Sequence, residues 1–246
     1  MKITSVNNDL VKETAKLLKS KYRDESGLFL IEGEKGVTEA IEAGLQIKNI
    51  FTIENIDNLK DYNVIETTEA VLSKISDAKT APKIIAVAEQ IKYNKENFKN
   101  FNKVILLEGI KDAGNLGTIL RTASAFGFDG IVLYGDTVDL YNPKTVRSAV
   151  GNLWKIPVIK LKEFKELEIL FNKFDRIATL PKAENTVNLE DFSIENKTVI
   201  MFGSEANGLS YELKDFATKN LTIEMNSNVE SLNLSISVAI VAYKFR

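Results

Sequence analysis

The segment KVILLEGIKDAGNLGTILRTASAFGFDGIVLYG, Lys103 to Gly135, decides the fold class. It opens on an apolar strand at 103–108, crosses a glycine-bearing loop, runs as an apolar helix from about 116 and ends on a second apolar strand at 130–134. Near-continuous apolar strands belong to parallel sheets covered on both faces. The alternation continues with a helix near 143–149, strand 157–161, helix 163–174, strands 176–180, 198–202 and 221–225, and a final helix from about 232. The expected fold class is therefore α/β, a mostly parallel sheet with helices on both faces. Ligands of such sheets bind beyond the carboxyl ends of the strands. One residue of the opening segment is out of keeping: Arg121 stands among Ile119, Leu120, Ala123 and Phe126. An unpaired arginine on an apolar helix face is costly, so Arg121 belongs either to a structural ion pair or to a site.

Upstream, YNKENFKNFN at 93–102 is polar, rich in Asn and Lys, and lies between two apolar runs, which makes it the candidate linker. Before it, LVKETAKLLKS spaces Leu10, Ala15, Leu17 and Leu18 as one helix face. LFLIEG, IKNIFTIE and KIIAVAEQI read as strands, with helical VTEAIEAG and EAVLSKIS among them. The expected organisation is a small α/β domain at 1–92, the linker, and a larger domain at 103–246.

The chain has 246 residues, 44% of them hydrophobic, a net charge of -2, and neither cysteine nor histidine. Disulfides, thiolate metal sites and thiol catalysis are excluded, and the commonest metal ligand and general base is missing, so no metal is expected. No apolar run reaches the roughly 20 residues of a spanning helix, and the first residues show no signal-peptide core, so the expectation is a cytoplasmic protein with no membrane partner. The charge does not indicate a globally basic nucleic-acid binder, although a local patch stays open. Lys12, Lys16, Lys19, Lys21 and Arg23 form either an RNA-docking strip or a solvated helix face, and Lys144 and Arg147, one turn apart, pose the same choice. Trp154 and Tyr134 read as core residues.

Three loops follow apolar strands: EGIKDAGNLG, GSEANGLS and NSNVESLN. One such loop is ordinarily a turn with a helix cap, glycine supplying positive φ and Asn or Ser the cap. Three at the same end of one sheet point to a ligand. Neither GxxxxGK[ST] nor GxGxxG occurs, so a ligand held by backbone amides and carbonyls fits better than a nucleotide phosphate.

The segment NLGTILRTASAFG resembles the first motif of the SpoU, or TrmH-like, RNA 2′-O-ribose methyltransferases, MFGSEANGLS the second, and IEMNSNVESLNLSISVAIVAYKF the third. YNPKTVRSAVGNLWKIPV also matches, and the resemblance covers about 103–246. FLIEGEKGVTEAIEAG is similar to the L30e-like substrate-binding domain that precedes the catalytic domain in many of these enzymes. The resemblance implies a SPOUT fold with a deep trefoil knot, which general topology rules would argue against. It also implies an S-adenosylmethionine pocket formed by the second and third motifs, and a homodimer whose active sites are completed at the subunit interface. Gly203, Ile223 and Leu232 are then expected to contact the cofactor chiefly through backbone atoms, with Leu180 lining the same cleft. Asn115, Arg121, Glu205, Ser231 and Asn233 fall on the catalytic or substrate-facing polar positions. Each has a plainer alternative: Asn115 or Ser231 as a helix cap, Glu205 as a solvated loop acid, Arg121 as an ion pair.

The reading is an S-adenosylmethionine-dependent RNA 2′-O-ribose methyltransferase. The L30e-like domain points to ribosomal RNA, since family members acting on tRNA often carry short basic extensions instead. Its rivals are a catalytically inactive RNA-binding ribosome assembly factor of the same fold and a doubly wound small-molecule enzyme, for which no dinucleotide fingerprint is present.

Overall fold

The computed structural model describes residues 1–54, 59–226, 228–229 and 231–246. The chain forms two compact units, Met1–Lys92 with Asp139–Lys155, and Tyr93–Val138 with Ile156–Arg246.

The first unit begins with α1 (Asp9–Lys16), capped by the Asn8 side chain, which accepts from the Leu10 amide, and α2 (Ser20–Ser26), which ends at Gly27 with φ 68°. There follow β1 (Leu28–Glu32), α3 (Glu34–Glu42), β2 (Ile47–Thr52), β3 (Val64–Glu66), α4 (Glu69–Lys74) and β4 (Ile84–Glu89). The four strands run in the order β1-β4-β2-β3, with β4 antiparallel to both neighbours and β3 parallel to β2. Val11 and Leu17 join Leu30, Phe51, Ile65, Leu72, Ile85 and Val87 in the core.

The second unit starts with a 3-10 helix at Lys95–Asn100, so the segment read as a linker is structured. Its sequence is polar, but Phe98 is fully buried and stacks at 4.7 Å on Phe101. Both rings press on Gly130, where a Cβ would lie 2.7 Å from Phe98 and 2.9 Å from Phe101. Two aromatic anchors outweigh seven polar neighbours, since each aromatic buries a large apolar area.

Next come β5 (Lys103–Glu108), α5 (Ala113–Ala125) and β6 (Gly130–Tyr134), the elements read from the opening segment. The chain then contributes α6 (Pro143–Ala149) to the first unit, where α6 packs on β1. This differs from a linear division at 92/103: residues 139–155 count with the first unit. Two arginines hold them there. Arg23, 1% exposed, donates to the Asp139 carboxylate from Nε at 2.7 Å and again from Nη2, and to the Leu17 carbonyl at 2.6 Å. Arg147 donates to Glu32 at 2.7 Å and to Asp77. Arg23 is thus no part of a basic strip, and Lys12, Lys16 and Lys21 pair with Asp9, Glu13 and Glu25 on their own helices. Lys12, Lys16 and Lys21 therefore read as a solvated helix face paired with its own acids, and Arg147 is a structural ion pair.

The second unit resumes with β7 (Val158–Leu161), α7 (Phe164–Phe171), β8 (Asp175–Thr179), β9 (Val187–Asn188), β10 (Thr198–Phe202), α8 (Tyr211–Phe216), β11 (Lys219–Thr222) and α9 (Leu234–Lys244). All seven strands are parallel, in the order β7-β6-β5-β10-β8-β11-β9. Val104, Leu106, Val132, Val199 and Met201 pack with Leu167 and Phe171 of α7. Their alternate neighbours Ile105, Leu107, Ile131 and Ile200 are equally buried, so both faces are covered, as the unbroken apolar runs require. Tyr134 and Trp154 are 8% and 9% exposed, core residues as read.

Candidate active site

The carboxyl ends of β8, β10 and β11 surround a cavity of about 330 Å³ in the second unit. Its wall includes Leu180, Gly203, Ile223 and Leu232, and also Glu205 and Ser231. Loops from the second and third motifs therefore converge on one space, where α/β sheets place their ligands. The third loop contains Ser227 and Glu230, which lie outside the described residues.

The loop after β10 folds tightly back on itself. The Gly208 amide donates to the Ser204 carbonyl at 2.9 Å, and Gly208 takes φ 64°. A Cβ on Gly203 would fall inside the envelope of the Gly208 carbonyl and the Leu209 amide. Glycine is required at 203 by the loop itself, before any ligand arrives. On the far side the Ser210 amide donates to Glu108 Oε2 at 2.7 Å, and the Ser210 side chain caps α8, tying the loop to the end of β5.

Asn115 is not the cap of α5. That role belongs to Asp112, whose carboxylate accepts from the Asn115 amide at 2.7 Å. The Asn115 side chain is free to turn outward, and its Nδ2 donates to Glu205 Oε1 at 2.5 Å. Because a carboxylate only accepts, this bond fixes the Asn115 amide and leaves its Oδ1 to accept from Asn233 Nδ2 at 3.2 Å. That in turn points Asn233 Oδ1 at the start of α9, where it accepts from the Ser235 amide at 2.9 Å and the Ser235 hydroxyl at 2.6 Å. Asn233, not Ser231, caps α9. One chain of hydrogen bonds thus links the first, second and third motifs, and Glu205 is both its end and part of the cavity wall.

Arg121 stands apart from this chain. It is exposed on the face of α5 that carries Thr118 and Ala125, while Leu116, Ile119, Leu120 and Ala123 form the buried face. The apolar stripe that made Arg121 look buried belongs to the opposite side of the helix. It has no hydrogen-bond or ion-pair partner among the described residues, so the ion-pair alternative fails, and it does not line the cavity.

The cavity also holds residues the sequence reading missed, among them Thr179, Lys214, Met225 and Ser237. Lys214 lies on α8, whose start was legible as Ser210 before YELKDF, a serine cap ahead of a short amphipathic turn. The others carry no motif of their own. Tyr134, at the end of β6, donates to Glu212 at 3.2 Å. Burial, with the nearby Glu212 charge and hydrogen bond, pushes its hydroxyl pKa up to about 12. Among the described residues no helix is long and apolar enough to cross a membrane.

The volume and lining suit a small organic ligand. Leu180, Phe202, Leu209, Leu221, Ile223 and Leu232 offer apolar walls, the Gly203–Leu209 loop offers backbone polar groups, and Glu205 and Lys214 offer one charge of each sign.

Comparison with known proteins places this geometry. Residues 102–243 match the model of the SpoU rRNA Methylase family, and residues 8–86 match that of an MRM3-like substrate binding domain. The chain is 31% identical to the 23S rRNA (guanosine(2553)-2′-O)-methyltransferase RlmP of Bacillus subtilis, covering 99% of this chain and 98% of that protein. It is 32% identical to an uncharacterized tRNA/rRNA methyltransferase of Synechocystis, over 99% and 93% of the two. Among solved structures, the AdoMet-bound rRNA methyltransferase of Sinorhizobium meliloti superposes with a TM-score of 0.92 at 28% identity, covering 100% of this chain and 97% of that one. With its three motif loops joined by a single hydrogen-bond chain beside a cavity suited to a small organic ligand, the chain belongs to the SpoU rRNA methylase family.

Proposed function

We propose that this protein transfers a methyl group from S-adenosylmethionine to a ribose 2′-hydroxyl of ribosomal RNA, in the cytoplasm, as a homodimer. The observation that carries the reading is the convergence of Leu180, Gly203, Ile223 and Leu232 on one cavity whose wall residue Glu205 is bonded to Asn115 and, through it, to Asn233. The inactive reading receives no support from the relatives, which are named as 2′-O-methyltransferases.

When bound, the cofactor supplies an electrophilic methyl on a sulfonium, so the protein's task is alignment and management of charge on the attacking oxygen. The apolar walls and the backbone of the 203–209 loop would hold the adenosyl part, and Glu205 and Lys214 its charged amino-acid part. Ser231 lines the same cavity. Arg121 serves as a hydrogen-bond donor: it clamps the phosphate beside the target ribose and stabilises the 2′-oxygen as its proton leaves.

Arg121 reaches a site by crossing to a partner subunit. Ile236, Ile240 and Tyr243 lie 49%, 37% and 56% exposed at i, i+4 and i+7 along α9, an apolar stripe on the helix that packs beside α5. A second copy covering this stripe completes the site with Arg121.

The test is incubation with ribosomal RNA and methyl-labelled S-adenosylmethionine. Label should appear in dinucleotides that resist alkali, because alkaline cleavage needs a free 2′-hydroxyl. Label on a base, in alkali-sensitive product, overturns the ribose assignment, and light scattering at the mass of a single chain overturns the dimer.

A further inference from the structure

The loop Gly203–Leu209, which walls the cavity of the second unit, runs directly into α8. The junction is held at two points. The Ser210 amide donates to Glu108 Oε2 at 2.7 Å, and the Ser210 hydroxyl accepts from the amide of Leu213, whose side chain is fully buried. Tyr211 stands between these anchors and is 85% exposed, the most exposed large apolar side chain among the described residues. Among those residues its hydroxyl makes no hydrogen bond, and its ring meets no aromatic or cationic neighbour.

Single apolar side chains on a surface are ordinary, so exposure alone assigns nothing. Position does. Leu209, two residues before Tyr211, and Lys214, three residues after it, both line the cavity, and residues three apart lie on one face of a helix. Tyr211 is therefore carried on the rim of the cavity without belonging to its wall. Its ring is in solvent, open to a flat partner, and a tyrosine gives up only two side-chain rotations when it is covered.

The partner follows from where the rim is. The adenosyl part of the cofactor is assigned to the apolar walls inside the cavity, which leaves the ring outside it for the second reactant. That reactant is a ribose with its base, brought to the methyl group from solvent. A base inside a duplex has its faces covered by its neighbours, whereas an unpaired base offers one to an aromatic side chain. We propose that Tyr211 is the stacking platform for an unpaired base of the substrate RNA at the target ribose, which makes a single-stranded or looped segment the substrate class of this site. The proposal rests on the RNA reading above.

The test is filter binding of an unmodified ribosomal RNA transcript to the full-length protein over a series of salt concentrations, with methyl transfer measured on the same preparations. Tyr211→Ala should weaken RNA binding about tenfold or more, the scale of one base–aromatic stack. The factor should be the same at every salt concentration, because no phosphate contact is lost. In turnover the loss should fall on KM for RNA more than on kcat, and S-adenosylmethionine affinity by calorimetry should hold. Tyr211→Phe keeps the ring and should restore RNA binding. The platform is overturned by a Tyr211→Ala protein that binds RNA as tightly as wild type, by a Tyr211→Phe protein as weak as Tyr211→Ala, or by a defect that vanishes at high salt. A fall in cofactor affinity without one in RNA affinity also overturns it, by moving the ring to the cofactor. If the binding results are as expected while the wild-type protein transfers no methyl, the enzymatic reading fails and the platform stands.

Discussion

Arg23 and Arg147 of the first unit and Arg121 of the second all sit on helices, yet their surroundings differ in kind. Arg23 is sealed against Asp139 and the Leu17 carbonyl, and Arg147 bridges Glu32 and Asp77. Around Arg147, burial works against the charge, but the hydrogen bond to Asp77 and the Glu32 charge outweigh it and raise its pKa. Arg121 is exposed and has no partner among the described residues. A guanidinium whose donors are spent inside the fold is explained by the fold. One left unspent on a helix that also carries Asn115, which is wired to the cavity, is explained by what it is kept for.

The largest effect should come from breaking a spent arginine. Arg23→Ala leaves Asp139 a partly buried charge without its partner and should cost about 3 kcal/mol of stability, read by urea denaturation. Turnover per folded molecule should hardly change. If stability is retained and turnover lost, the contrast between the two units is wrong.

Arg121→Ala should do the reverse. Melting temperature and cofactor affinity should stay put while turnover falls roughly 10²-fold, the scale of losing a preorganised donor. Arg121→Lys should recover little, because a point charge does not reproduce a planar fork. Mixed dimers sharpen the test: an Arg121→Ala subunit paired with a subunit carrying Glu205→Ala should regain part of the activity if Arg121 serves the partner's cavity. Two silent homodimers and an equally silent mixture would place Arg121 elsewhere.

The opening segment made the α/β class legible because β5 and β6 are unbroken apolar strands and α5 a clear helix between them. Gly203 and Glu205 were legible through their motif, and the cavity gathers them with Leu180, Ile223 and Leu232. What sequence could not give was side-chain direction. Arg121 looked buried because four of its near neighbours are apolar, whereas a helix of 3.6 residues per turn carries it to the other side. The linker was misread because the polarity of 93–102 conceals Phe98 and Phe101, whose burial depends on a distant glycine, Gly130. Arg23 and Arg147 were misread for a related reason: their acids Asp139 and Glu32 are more than a hundred residues away in sequence.

Asn233 combines both kinds of role, and one substitution separates them. Its Oδ1 caps α9 while its Nδ2 donates to Asn115. Asn233→Ala removes both and should cost about 1 kcal/mol of stability as well as activity. Asn233→Asp keeps a capping acceptor and loses the donor, so melting temperature should hold while turnover drops about tenfold, the scale expected for a misplaced positioning group. Equal melting loss in both variants would mean that the chain is only structural.

The smallest effect concerns a spent group inside the second unit, and it checks that the contrast follows partnership and not the unit. Tyr134 is buried and donates to Glu212, and burial, reinforced by the Glu212 charge and bond, pushes its pKa up to about 12 from an ordinary 10.0. The folded state therefore holds this proton over a range in which the unfolded chain has released it. The stabilisation is complete below pH 10 and is lost as pH climbs from about 10 to about 12, since across that window the unfolded state binds fewer protons. Tyr134→Phe has no proton to lose. Wild-type stability should therefore fall faster than that of the variant across this window in urea denaturation, the other tyrosines and the lysines titrating alike in both proteins. Turnover at neutral pH should be nearly the same in the two. A stability difference that does not change with pH would show that Tyr134 keeps an ordinary pKa, and a loss of turnover at neutral pH would move it from the fold to the site.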